Sequence, residues 1–382
     1  MILRDKLESF GTTIFTVMSA LAQKHNAINL SQGFPDFDPD PLLLEIARKY
    51  FSSSFQQYAP MPGCIELRET VSDIIYNCYK RKVNPETEIT ITAGATQAIY
   101  TAIASFVDRG DEVIIFEPAY DCYAPAVIVN GGVPVYSELK YPDFKIDWNE
   151  VKDKITSKTK MIIINSPHNP TGTTLSREDL LQLQEITRKT NIIVLSDEVY
   201  EHIIFDNQEH QSVLRFDELF QRSIMVSSFG KTIHTTGWKI GYLVAPEPLM
   251  KIIRKVHQYL VFAVNHPLQK TIAEYLNNPQ NYLSLKKFYQ DKRDYFLSLL
   301  NTSYFKPLST QGTYFILLDY SKLSFNQDTK FVIELVEKYK IAAVPMSVFY
   351  HTKKDYHLLR FCFAKKNETL EKAAQIIKTL KN

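Results

Sequence analysis

No stretch of the 382 residues approaches the roughly 20 consecutive apolar residues of a membrane-spanning helix, so the chain reads as a non-membrane protein. Neither sign of charge dominates. The formal net charge is +2, which gives no electrostatic case for binding nucleic acid. Cysteine is scarce: Cys64, Cys78, Cys122 and Cys362 are scattered, with no C-x-x-C pair. That excludes a disulfide framework and a cysteine metal site, and suits a reduced, cytoplasmic compartment. The opening residues Met1-Ile2-Leu3-Arg4-Asp5-Lys6 carry charges where a signal peptide needs an apolar core. No G-x-G-x-x-G follows an apolar run, so the dinucleotide-binding fingerprint is missing. No internal repeat and no low-complexity segment occurs.

What is present is an ordinary globular balance, 45% hydrophobic and 23% charged, long enough for one large or two ordinary domains. Ile14, Val17, Met18 and Leu21 fall at helical spacing in an N-terminal arm. Helices are expected over 40–51 and 66–81. Strands and helices then alternate. Strands are expected at 89–92, 112–116, 133–135, 161–164, 192–195 and 223–226. Helices are expected from Ala95 to about Val107, from the Glu117–Tyr120 stretch to Gly131, and from Ser176 to about Lys189. Strands that are apolar throughout and separated by helices mean a parallel sheet covered on both faces. Ligands of such sheets bind beyond the carboxyl ends of the strands. The turns after Thr92, Ile164, Leu195 and Val226 all lie at such ends. A long helical stretch is expected from about Pro248 past Asn277 and another over 283–300. Strands at 312–318, 341–344 and 357–363 with helices at 330–338 and 370–380 make a smaller α+β unit. The expected division is an arm over 1–40, a large domain over 41–285 and a small domain over 286–382.

Two of the strand-end turns carry chemistry. Ala93-Gly94-Ala95-Thr96-Gln97 joins a strand to a helix, and free N–H groups at a helix start attract anions. An ordinary turn capped by Thr96 is the plain alternative. Ser227-Ser228-Phe229-Gly230-Lys231-Thr232 follows the apolar run Ile224-Met225-Val226. A P-loop would need a glycine at position 225, which is Met225. A lysine here is then either a Schiff-base amine, activated by desolvation, or a surface lysine after a strand.

The ordered set of motifs resembles the fold-type I enzymes of pyridoxal 5′-phosphate (PLP), specifically class I/II aminotransferases. It comprises Ser31-Gln32-Gly33-Phe34-Pro35, Tyr58, Gly94-Ala95-Thr96-Gln97, Asn165 through Gly172, Ser196-Asp197-Glu198-Val199-Tyr200, Ser227 through Lys231, and Arg360-Phe361. The motifs span nearly the whole chain. Glu117-Pro118, Tyr120-Asp121-Cys122-Tyr123 and Gly237-Trp238-Lys239 look like the branch of methionine and kynurenine aminotransferases (glutamine transaminase K type).

The resemblance implies roles residue by residue. Lys231 would hold PLP covalently and later move the substrate proton. Asp197 would keep the ring nitrogen protonated, and Tyr200 and Asn169 would bond the ring oxygen. Gly94, Ala95, Thr96, Ser228 and Lys239 would bind the phosphate, with Lys239 standing where many relatives outside this branch carry arginine. Tyr58 would reach the phosphate from a neighbouring subunit, which implies a homodimer with shared sites. Tyr120 would stack on the ring. Arg360 would fork onto the substrate α-carboxylate, and Gly33 would let the backbone approach the substrate. Ile14 or Phe15, with Tyr58, Tyr120 and Phe349, would form an apolar side-chain wall. No second arginine stands out for a dicarboxylate, so methionine, phenylalanine, tyrosine or kynurenine fits best, with a 2-oxo acid as acceptor. A cysteine-conjugate carbon–sulfur β-lyase on the same scaffold is the alternative. A PLP-binding regulator would need a basic DNA-binding segment, which the motifs leave no room for.

Overall fold

The computed structural model describes residues 5–381. The chain opens with α1 (Ile14–Lys24) and β1 (Ile28–Asn29), followed by α2 (Pro41–Phe51) and α3 (Ile65–Tyr79). Thr13 caps α1 by accepting from the Thr16 N–H. Its buried face is narrower than the sequence pattern: Met18 and Ala22 are buried, whereas Val17 is exposed. Asp40 caps α2, and Pro41 sits in the first turn, where a missing N–H is no loss.

Strands and helices then alternate through β2 (Ile89–Thr92), α4 (Ala95–Phe106), β3 (Glu112–Glu117), α5 (Tyr123–Val129), β4 (Val133–Glu138), α6 (Trp148–Lys154) and β5 (Thr159–Asn165). The pattern continues with α7 (Arg177–Thr187), β6 (Ile193–Asp197), α8 (Asp217–Phe220), β7 (Ser223–Ser228), the single turn α9 (Phe229–Thr232) and β8 (Gly241–Val244). These strands form one sheet in the order β2-β8-β7-β6-β5-β3-β4. Neighbours from β7 to β4 are parallel, and β8 runs antiparallel to both β7 and β2. Alternate residues of β5 feed separate cores. Ile162 and Ile164 join α2, α3 and α7 on one face, and Met161 and Ile163 join α4 on the other. The doubly apolar strands are thus buried on both sides.

Two expectations are corrected here. α5 starts at Tyr123, not within Glu117–Tyr120. Ala119 donates its N–H to the Phe349 carbonyl at 2.9 Å, which holds the preceding segment as a loop. Helix α6 was not foreseen, although Asp147 caps it by accepting from the Asn149 and Glu150 N–H groups.

The next stretch holds α10 (Glu247–Leu260), α11 (His266–Leu276), α12 (Gln280–Leu283) and α13 (Leu285–Leu300). The expected continuous helix past Asn277 is therefore broken. Asn265 caps α11 by accepting from the Leu268 N–H, and Pro267 lies in its first turn. Inside one long helix that proline would cost about 3 kcal/mol.

The rest contains β9 (Lys306–Pro307), β10 (Phe315–Asp319), α14 (Asp328–Tyr339), β11 (Ile341–Ala342), β12 (Val344–Pro345), β13 (Leu358–Cys362) and α15 (Asn367–Thr379). The expected strand 341–344 is in fact two. β11 pairs in parallel with β1, and β12 joins the antiparallel sheet β12-β13-β10-β9. Met18 and Ala22 of α1 enter a third core with Phe296, Phe315, Leu359 and Phe361. No helix of the described residues is long and apolar enough to cross a membrane.

Candidate active site

The ends of β5, β6 and β7, the turn after β2, and the residues Gln32, Gly33 and Arg360 meet around a cavity of about 240 Å³. Gly33, Gly94, Ala95, Thr96, Tyr120, Asn169, Asp197, Tyr200, Ser228, Lys231, Lys239 and Arg360 all line it. They come from positions more than 300 residues apart in the chain. Tyr58 does not line it. Its side chain is 80% exposed, with the ring edge-on to Phe262 at 5.2 Å. Of the residues expected in the apolar wall, Phe15 and Tyr120 line the cavity, whereas Ile14 and Phe349 do not.

Lys231 sits in α9, immediately beyond β7. Its Nζ donates to Tyr314 Oη at 2.8 Å and to the Gly33 carbonyl at 3.2 Å. Burial brings its pKa down from 10.5 to about 8. Burial thus shifts the balance toward the neutral, nucleophilic amine. Gly33 is glycine for a packing reason. A Cβ there would lie 2.7 Å from the Phe315 ring.

Asp197 closes β6 and is buried. Its Oδ2 accepts from the Tyr123 hydroxyl at 2.6 Å, and Oδ1 accepts from the Val199 N–H at 3.3 Å. Burial outweighs both bonds and raises its pKa from 3.8 to about 6. Its backbone carbonyl accepts from Asn165 Nδ2 at 2.8 Å, while Asn165 Oδ1 accepts from the Asn169 N–H at 2.8 Å. Asn165 thus ties the β5 and β6 ends together.

One part of the cavity lining suits an anion. Gly94 precedes α4, no side chain caps that helix, and its first N–H groups are free of intrahelical partners. Gly94 adopts φ +79°, a left-handed conformation that favours glycine. The Ser228 hydroxyl and the Lys239 ammonium complete this part.

Arg360 lies in β13 and is 1% exposed. Its Nη1 donates to Asn169 Oδ1 at 2.6 Å and its Nη2 to the Ser31 carbonyl at 3.1 Å. Its Nε has no partner among the described residues. The Phe315 ring lies 3.8 Å from the guanidinium carbon and the Phe15 ring 5.0 Å. Burial lowers its pKa, but a guanidinium stays charged. No carboxylate of the described residues pairs with it in a salt bridge. A buried cation hydrogen-bonded to neutral acceptors and flanked by ring faces, with the Asp121 carboxylate acting on it through its charge alone, is suited to an incoming carboxylate.

The profile of the family described as "Aminotransferase class I and II" matches residues 25–377. The chain belongs to this family. It is 47% identical to the methionine aminotransferase of Escherichia coli over 99% of this chain and 98% of that one. It is 34% identical to the kynurenine–oxoglutarate transaminase of Dictyostelium discoideum, covering 98% and 95% of the two chains. A crystal structure from Escherichia coli, reported with a methionine aminotransferase function, superposes over 100% of both chains with a TM-score of 0.97 and 46% identity. The resemblance read from the motifs is therefore correct, and the fold is that of the PLP-dependent transferases of fold type I. These relatives are transaminases, and nothing in the comparison supports the β-lyase alternative.

Aminotransferases of this family act with PLP, and the residues in the cavity fit it. PLP carries a phosphate, an aldehyde and a protonatable ring nitrogen. The uncapped start of α4 with Ser228 and Lys239 suits the first, the Lys231 amine the second and the buried Asp197 carboxyl the third.

The sequence reading assigns no role to three neighbours: Tyr123 and Asn165, which stand inside its motifs, and Tyr314. Asn165 had a readable signal, an amide at the carboxyl end of an all-apolar strand. Tyr123 stood in a motif but was given no role. Tyr314 reaches Lys231 across 83 positions, and nothing near it in the chain announces that contact.

Proposed function

We propose that this aminotransferase takes methionine or an aromatic amino acid as donor, passes the amino group to a 2-oxo acid, and works in the cytoplasm as a homodimer. The observation that carries the donor class is the count of cations in the cavity. Among the described lining residues these are Lys231, Lys239 and Arg360. The cofactor aldehyde, the cofactor phosphate and the substrate α-carboxylate use one each. None is left for a side-chain carboxylate, while Phe15, Ile99, Tyr120 and Phe315 offer apolar surface. The 47% identity to a methionine aminotransferase supports the same donor. Dimerisation is supported by the exposed aromatic surface of Tyr58, Tyr259 and Phe262 beside the break between α10 and α11.

Bound PLP supplies the electron sink that makes the substrate Cα–H acidic. The protein residues then have separate tasks. Arg360 fixes the substrate carboxylate by a fork of two N–H donors, with Phe315 and Asn169 holding the guanidinium in plane. Lys231, as a free amine, would take the proton from the substrate Cα as general base and, as general acid, would return it to the former aldehyde carbon of the cofactor. Asp197 would keep the ring nitrogen of bound PLP protonated by ion pairing. Tyr200 and Asn169, which line the cavity, would donate to the ring oxygen of bound PLP, and Tyr120 would lie against the ring. Gly94, Ala95, Thr96, Ser228 and Lys239 would hold the phosphate.

The test is optical. Purified holoenzyme receives methionine, phenylalanine or aspartate separately, without an oxo acid. Loss of the visible cofactor band with the first two donors, but not with aspartate, is expected. Equal conversion by aspartate overturns the donor class.

A further inference from the structure

Tyr314 is fully buried at the head of β10. Its ring is fixed edge-on to Tyr200 at 5.2 Å and to Phe315 at 4.9 Å, and its backbone carbonyl accepts from the Phe363 N–H at 2.9 Å. It does not line the cavity, so it acts on the reaction only through a neighbour. Its hydroxyl gives its one proton to the Gly33 carbonyl, and toward Lys231 it is therefore an acceptor. We propose that Tyr314 is the positioning residue of the free Lys231 amine, its hydroxyl oxygen and the Gly33 carbonyl together fixing where the lone pair of that amine points.

Valence fixes the direction of the lone pair. A neutral primary amine has two N–H bonds and one lone pair. Two rigid acceptors stand at 2.8 Å and 3.2 Å from Nζ. Once both N–H bonds are given to them, the lone pair takes the remaining position, on the cavity side that Lys231 lines. Without the Tyr314 oxygen, the amine turns about its Cε–Nζ bond and spends part of its time misdirected. The same oxygen stabilises the ammonium form once the proton has been taken. Burial holds the Tyr314 hydroxyl well above the ordinary tyrosine range, so it stays a neutral acceptor. The other titratable groups facing the amine are Cys362 and Arg360 on β13, Lys239 before β8, Asp197 at the end of β6, and Tyr200. None of these makes a hydrogen bond to Nζ; among the described residues Tyr314 and Gly33 do.

This inference rests on the proposed role of Lys231 as the base, and the two fail differently. Retained transamination in Lys231→Ala removes the base and the inference with it. The specific test is Tyr314→Phe in the full-length protein, which keeps the ring and removes the oxygen. Two readouts are taken. In the holoenzyme, kcat for methionine is expected to fall about tenfold with KM little changed, the effect of one lost hydrogen bond in the transition state. In the same chain freed of PLP, the rate of Lys231 acetylation is followed against pH by peptide mass spectrometry. Its midpoint is expected to move down by about half a pH unit or more, because the ammonium has lost an acceptor. Genetically placed 3-fluorotyrosine at 314 restores a weaker acceptor and most of kcat, and serves if the phenylalanine variant folds poorly. An unmoved acetylation midpoint in a variant that melts like the parent overturns the proposal. So does a fall in kcat that 3-fluorotyrosine does not relieve.

Discussion

The Tyr123 hydroxyl donates to Asp197 Oδ2 at 2.6 Å, both residues being buried. This bond favours the ionised carboxylate, against a burial effect that disfavours it. Tyr123 therefore helps decide whether Asp197 is charged at working pH. In Tyr123→Phe that support is gone and the carboxyl pKa rises further above about 6. The acid limb of the kcat–pH profile should move to higher pH, with kcat at neutral pH down about three- to tenfold. A profile that superposes on the parent shows that Tyr123 only fills space.

Asp197 also makes a stability prediction whose sign is opposite to the usual carboxylate. Its folded pKa is raised, from 3.8 to about 6. Its stabilising contribution is then fully present below the unfolded value and is lost as pH rises through about 6. The difference corresponds to about 3 kcal/mol at most. In PLP-free protein, Asp197→Asn should be more stable than the parent at pH 7.5 and nearly equal to it at pH 4. Denaturant unfolding at the two pH values checks this. The same substitution should nearly abolish transamination, since an amide cannot ion-pair with a protonated ring nitrogen. Greater stability of the parent at pH 7.5 refutes the assignment of an uncompensated buried charge.

Why was so much of this site legible in the chain? The pieces that could be read are those fixed by local chemistry. Glycine and small residues at a strand–helix turn announce free N–H groups, as in Gly94-Ala95-Thr96. Apolar strands ending in Asn165, Asp197 and Ser228 announce a parallel sheet whose polar ends converge. Arg360 inside Leu358-Leu359-Arg360-Phe361 announces itself by the cost of burying a charge. What could not be read depends on long-range contacts. β8 turns antiparallel because of where the chain must return, and its residues pattern like those of a parallel strand. The short β11 and β12 are divided by their partners, β1 and β13, not by any turn signal. Tyr314 looks like any core tyrosine until Lys231 is placed beside it. The break before Asn265 differs, because the capping asparagine and Pro267 signal it locally against the helical periodicity.

Arg360 predicts an asymmetry between charge and shape. Arg360→Lys keeps a cation but loses the fork, the Phe315 stack and the bond to Asn169 together. kcat/KM for methionine should fall by about a hundredfold or more, mostly as a rise in KM, because a bidentate contact becomes a single one. Substrate saturation curves for the two proteins measure it. A loss below about threefold shows that the α-carboxylate is bound elsewhere.

Tyr58 gives the sharpest test of the shared site, because its own chain holds it away from the cavity. It is 80% exposed and packs edge-on against Phe262, itself exposed beside Tyr259. If it serves the phosphate across a dimer interface, each site combines Lys231 of one chain with Tyr58 of the other. Tyr58→Ala alone should lower activity by roughly one to two orders of magnitude, through a lost hydrogen bond to a charged group. Lys231→Ala alone should be inactive. Unfolding and refolding an equal mixture of the two forms heterodimers in about half of the population. In each heterodimer one site carries both substitutions and the other carries neither. Activity should therefore return to about a quarter of the parent level, far above either variant alone. If Tyr58 acted within its own chain, no heterodimer would contain an intact site and mixing would restore nothing. A mixture that stays at the mean of its two parents therefore refutes the crossed arrangement.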